Sequence, residues 1–185
     1  MSMSQRLKEI EALMDEHPDM AHDLLMKLSS EFPNDDKALY LLGVLNSRAD
    51  RFPLALSIFD RLTRLAPQRK QVWNAYGQVL AETYQTAQAR EAFRRAFAIS
   101  KEPLFLSNIG STYLSEANST ESIRWCKKAL ELDPKHSGAL ANMGFAQIAQ
   151  GDWSGWKNVE ESLGGKFRKK QSFNGEPQWD GSFVD

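Results

Sequence analysis

The chain has 185 residues, 42% apolar and 25% charged, which are the proportions of one ordinary globular domain and not of a disordered chain. Its 23 basic and 24 acidic side chains leave a net charge of −1, which speaks against general nucleic-acid binding because phosphate contacts need a basic footprint. No apolar run approaches the ~18 residues of a membrane span, no signal-peptide core is visible, and the single cysteine, Cys126, excludes an internal disulfide, so the expected compartment is cytoplasmic.

Residues 2–35 open with Leu7, Ile10, Leu13 and Met14 at helical spacing, followed by Ala21, Leu25 and Leu28 on a second helical segment that Pro33 closes. A period then sets in: Pro33 to Pro67 and Gly43 to Gly77 are both 34 residues apart. The unit 36–69 carries Leu39, Leu42, Gly43, Ala55, Phe59, Leu62 and Pro67, and 70–102 places Trp73, Tyr76, Gly77, Ala89, Phe93 and Ala96 at the same offsets. After that slightly shorter unit, 103–136 gives Leu106, Ile109, Gly110, Tyr113, Ser122, Cys126, Ala129 and Pro134 in register. Leu140, Met143 and Gly144 begin a partial unit, 137–164, with a turn at Gly151-Asp152 and a short final helix from Trp153 to Leu163 closed by Gly164-Gly165. The remaining residues, 165–185, are expected to form an extended tail or linker.

Each unit reads as two amphipathic helices that cannot bury their apolar faces alone, so neighbouring units must stack. Gly43, Gly77, Gly110 and Gly144 sit inside helical patterns at a cost of ~1 kcal/mol each relative to alanine, which close packing of the partner helix would offset. Ala55 and Ala89 are expected to face these glycines, with Phe59 and Phe93 filling the gap to the next unit, and Cys126 to be buried. No phosphate-binding loop, nucleophile elbow, dinucleotide fingerprint or H-E-x-x-H occurs. His17, His22 and His136 are expected in turns or on exposed helix faces without a metal cluster, and Asp35-Asp36 and Glu160-Glu161 read as capping and solubility groups. Asn118-Ser119-Thr120 reads as a turn and helix cap, and no cofactor, metal or catalysis is expected. The basic run Lys166, Arg168, Lys169 and Lys170 is either a solvated linker or a contact for an acidic partner or membrane surface.

These residues fit W-x₂-L-G-x₂-Y…A-x₃-F…P, and over about residues 2–163 the chain resembles the tetratricopeptide repeat family. The resemblance implies an all-α fold, a right-handed superhelical α-solenoid of helical hairpins with capping helices, whose first helices line a concave groove for a peptide or partner protein. It places Lys37, Tyr40, Val44 and Ser47, then Gln71, Asn74, Gln78 and Ala81, then Ser107, Asn108 and Ser111, then Ala141, Asn142, Phe145 and Ile148 on that groove. Such a groove is neutral and rich in amides. Asn108 and Asn142, at equivalent places, resemble the peptide-backbone-binding ladder of some members; alternatively each bonds a neighbouring helix. With only Lys37 and Arg48 as groove cations, the grip on a terminal carboxylate used by other members is not expected.

The stretch 151–182 resembles the junction in bacterial repeat proteins whose array runs into a glycosyltransferase-like domain, G-W-x-x-Y-E-x-R followed by P-x-W-D-G. Gly155, Trp156, Glu160, Pro177, Trp179, Asp180 and Gly181 match, whereas Val159 and Ser162 replace the tyrosine and arginine. Two functions follow: an interaction scaffold, or the acceptor-recognition region of a glycosyltransferase whose catalytic domain is absent from this chain. Trp153, Trp156 and Trp179 together would make an apolar end, so the tail is expected to pack back on the array or in a neighbour's groove.

Overall fold

The computed structural model describes residues 2–164. Among them are ten helices and no strand: α1 (Met3–Glu16), α2 (Pro18–Glu31), α3 (Asp36–Arg48), α4 (Phe52–Leu65), α5 (Lys70–Glu82), α6 (Thr86–Ile99), α7 (Pro103–Ser115), α8 (Ser119–Leu132), α9 (Ser137–Ala149) and α10 (Gly155–Ser162). Each helix packs on the next, and each odd-numbered helix up to α9 also packs on the following odd-numbered one, so the hairpins stack into a right-handed superhelical solenoid.

Local chemistry sets the helix starts. Asp35 accepts a hydrogen bond from the Ala38 N–H at 2.8 Å, Asn118 from Glu121 at 3.2 Å, and the His136 ring Nδ1 from Ala139 at 3.1 Å. Pro18, Pro53 and Pro103 sit in first turns, where the missing N–H leaves no bond unmade. The turn inside each of the last four hairpins passes through the left-handed region at the same place: Asp50 (φ 55°), Tyr84 (φ 59°), Ala117 (φ 57°) and Gly151 (φ 81°). The final helix is shorter than the sequence suggests. Asp152 accepts from the Ser154 N–H and hydroxyl and turns the chain before α10 begins at Gly155.

One apolar spine runs through the stack. Leu7, Ile10, Leu25, Leu28 and Leu42 pack at its start, Leu39, Phe59, Leu62, Val72 and Val79 in the middle, and Leu80, Phe93, Leu106, Ile109 and Cys126 beyond. Tyr40, Val44 and Ile58 touch both of the first two groups, and Leu56 and Tyr76 both of the last two, so no gap interrupts the core. The helical glycines do mark close packing, but the group against each is not the alanine. A Cβ on Gly43 would lie 2.8 Å from the Phe59 ring, on Gly77 2.7 Å from Phe93, and on Gly110 2.7 Å from Cys126 Sγ. Phe59 and Phe93, one turn beyond Ala55 and Ala89, thus cover the glycine of their own hairpin while also packing on the next. At the last hairpin the two backbones cross glycine on glycine, with Gly144 against the Gly155 carbonyl.

Candidate inner-wall site

The odd-numbered helices pack on one another as one continuous wall, and the charges along it are mostly bridged between units. Lys37 Nζ lies 3.3 Å from Glu11, Arg48 2.7 Å from Asp15, and Arg69 2.7 Å from Asp36. Lys70 binds Glu102, and this bond with that from the Ser100 hydroxyl holds the Glu102 carboxyl below its usual range. Glu116 is lowered likewise, first by the Thr86 hydroxyl and then by Arg90, whose guanidinium also lies 4.3 Å from the Tyr113 ring centroid. The two groove cations named from sequence are therefore already paired. With these charges paired, amides and hydroxyls are the main polar groups left along the wall, the Glu82 carboxylate excepted.

Those amides are arranged along the wall. Asn108 donates to the Asn74 side-chain oxygen at 2.9 Å, tying α7 to α5, and Asn142 donates to the Ser107 carbonyl at 3.2 Å, tying α9 to α7. Ser107, expected on the groove, is instead 2% exposed, because Gly138 lets α9 approach so closely that a Cβ there would lie 3.1 Å from the Ser107 hydroxyl. Tyr40 is half-buried, edge-on to Phe59 with centroids 6.1 Å apart and with Arg69 4.9 Å over its ring; Val44 is partly buried beside it. Phe145 is 47% exposed on α9.

Gln78, Asn108 and Ser111 share one hollow of about 550 Å³ between α3, α5 and α7, with Ser47 and Ala81. The structure adds Glu82, Tyr84, Thr112 and Ser115 to its lining, none of which was singled out from sequence. Tyr84 had a visible signal: it stands 34 residues from Asp50, at a turn position that Asp50 and Gly151 fill with residues tolerant of left-handed backbone. Lys37, Tyr40 and Val44 lie toward the first hairpins, and Asn142 and Phe145 in the last, so neither group joins the hollow.

No group of His, Cys, Asp and Glu side chains gathers for metal chemistry among the described residues. His17 is exposed between α1 and α2, His136 is a cap, and His22 is not on an exposed face, its side chain being only 21% accessible. Cys126 is fully buried, and burial pushes its thiol up to about 11. Trp156 of the tail motif is 53% exposed and Trp153 56%, while Pro177, Trp179, Asp180 and Gly181 lie outside the described residues. None of the described helices is long and apolar enough to cross a membrane.

Residues 105–136 match the family model described as tetratricopeptide repeat. Among solved structures, MamA 41-end from Desulfovibrio magneticus RS-1 aligns with a TM-score of 0.74 at 19% identity, covering 90% of this chain and 100% of that one. Pseudomonas aeruginosa PilF aligns with a TM-score of 0.74 at 15% identity, over 88% and 75% of the two chains. TTC0263, a thermophilic TPR protein in Thermus thermophilus, aligns with a TM-score of 0.70 at 15% identity, over 89% and 93%. At such identities the likeness is one of fold, that of stacked tetratricopeptide hairpins. No curated protein matches the sequence.

Proposed function

We propose that this chain, with the fold of a tetratricopeptide-repeat solenoid, is a scaffold without catalysis of its own that holds an extended peptide or partner segment against the wall of α3, α5, α7 and α9. The hollow between three successive odd-numbered helices carries this reading, because its polar side chains keep hydrogen-bonding capacity after their interhelix bonds are made. In the hollow, Asn108 uses an amide hydrogen on Asn74 and keeps its oxygen; beside it on the same wall, Asn74 keeps its amide hydrogens and Asn142 its oxygen. An extended chain presents N–H and C=O groups at regular spacing, which such amides match whatever the peptide sequence. The amides thus both hold neighbouring helices and remain able to meet a ligand.

Peptides selected on the wild-type protein from a randomised displayed library test this. Asn108→Ala with Asn142→Ala should weaken the selected peptides by about tenfold, roughly 0.5–1.5 kcal/mol per lost bond, while circular dichroism still shows the folded solenoid. Unchanged affinity in the folded double variant removes the amide role.

A second reading, acceptor recognition for a glycosyltransferase domain on this or another polypeptide, draws on the exposed Trp153 and Trp156 beside the junction-like segment. Sugar transfer by such a domain that requires this chain and is lost with Trp156→Ala would favour it.

A further inference from the structure

We propose that the hollow between α3, α5 and α7 is a subsite for a lysine or arginine side chain of the bound peptide, held between the Glu82 carboxylate and the face of Tyr84. The inference rests on the peptide-binding reading above and adds the class of side chain the wall selects.

Glu82 is the last residue of α5, where the negative end of the helix dipole disfavours an anion. It is exposed at the hollow's rim and has neither hydrogen bond nor ion pair among the described residues. Its counterparts do not neutralise it. Arg48, at the same place one unit earlier, is turned to Asp15 at 2.7 Å, and the Ser115 hydroxyl at the end of α7 donates to the Thr112 carbonyl at 2.9 Å.

Tyr84, two residues on, is 85% exposed and holds a left-handed φ of 59°, a conformation that costs a bulky residue energy. Elsewhere along the solenoid the rings of Tyr40, Phe97, Tyr113 and Trp125 each lie under a lysine or arginine at 4.2–5.7 Å. Tyr84 has no such cation among the described residues. An unneutralised carboxylate and an uncovered ring therefore stand at the rim of one hollow whose other polar linings, Ser47, Gln78, Asn108 and Ser111, are neutral, and no basic side chain lines it. A cation entering there gains charge attraction and ring contact together. An acidic side chain would meet repulsion from Glu82, and an apolar one would strip water from the carboxylate without replacing it.

The same displayed library, read position by position, supplies the test. Wild-type protein should enrich peptides with lysine or arginine at one fixed position, and Glu82→Gln and Tyr84→Asn should each weaken the best peptide about two- to fivefold. The losses should be smaller for that peptide's norleucine analogue, which carries no charge for Glu82 to attract, and Glu82→Lys should turn the preference toward acidic residues. Both altered side chains reach solvent, so the circular dichroism spectrum of the folded protein should be unchanged. Enriched peptides without a basic position, or a basic preference that survives both substitutions, overturn the subsite and leave the peptide-binding reading standing. Enrichment of no peptide overturns that reading and the subsite with it.

Discussion

Tyr84 breaks two local rules at once, since a bulky side chain occupies left-handed backbone and a large ring faces water. Local inconsistency of this kind concentrates where function, not stability, chose the residue. Tyr84→Asn should therefore stabilise the fold by about 1 kcal/mol, because asparagine tolerates this conformation, and raise Tm by ~2–4 °C. Thermal unfolding followed by circular dichroism measures it; a lowered Tm would show that the ring makes a stabilising contact and that the strain argument is wrong. At this scale the sequence was partly legible. Asn108 and Asn142 were visible from their equivalent places, but the bonds they make were not, because which neighbour an amide bonds depends on how near adjacent helices come. Ser107 was misplaced for the same reason: Gly138 draws α9 in over it, and a single repeat pattern carries no information on such pairwise approach.

In the last four hairpins, how closely the two helices approach is limited by what stands against the first helix's glycine. In unit 103–136 that group is the Cys126 sulfur, smaller than the phenylalanine of the two preceding units, and a Cβ on Gly110 would still lie 2.7 Å from it. Gly110→Ala gains ~1 kcal/mol of helix propensity but places a methyl 2.7 Å from Sγ, with the Ser122 carbonyl at 3.3 Å, in a fully buried site. Overpacking of this kind costs about 1–3 kcal/mol, so the net change should be destabilising by ~1 kcal/mol. Adding Cys126→Ala removes the colliding atom and should recover most of the loss, giving a favourable coupling in a double-mutant cycle by urea unfolding. Additive effects would mean that the clash is relieved by backbone movement and that the sulfur does not limit the approach. The 34-residue period made the hairpins legible because spacing alone specifies which faces are apolar. It left the identity of the facing residue one turn in error, alanine for phenylalanine, because helix crossing geometry is a property of two surfaces and not of one pattern.

For the whole array the consequence of stacking is that each hairpin draws its stability from its neighbours only. The core is continuous, yet its composition changes along it: the first hairpin contributes Leu7, Ile10, Met14, Ala21, Leu25 and Leu28 without an aromatic residue, whereas Phe59 and Phe93 anchor the hairpins behind it. The α2 helix also leaves Met20 and Leu24 at 56% and 40% exposure, packing only on α1 and α3 among the described residues. Leu25→Ala removes a fully buried side chain from this end and should cost about 2–5 kcal/mol. If stability is propagated through nearest neighbours, that loss stays local. Hydrogen exchange should then show amides in α1 and α2 losing protection by the full amount while those in α7, α8 and α9 change little. Because the proposed subsite lies between α3, α5 and α7, peptide affinity should be largely kept in the same variant. Uniform loss of protection from α1 to α9 would show instead that the spine unfolds as one cooperative body, and that the hairpins are not separable units of stability.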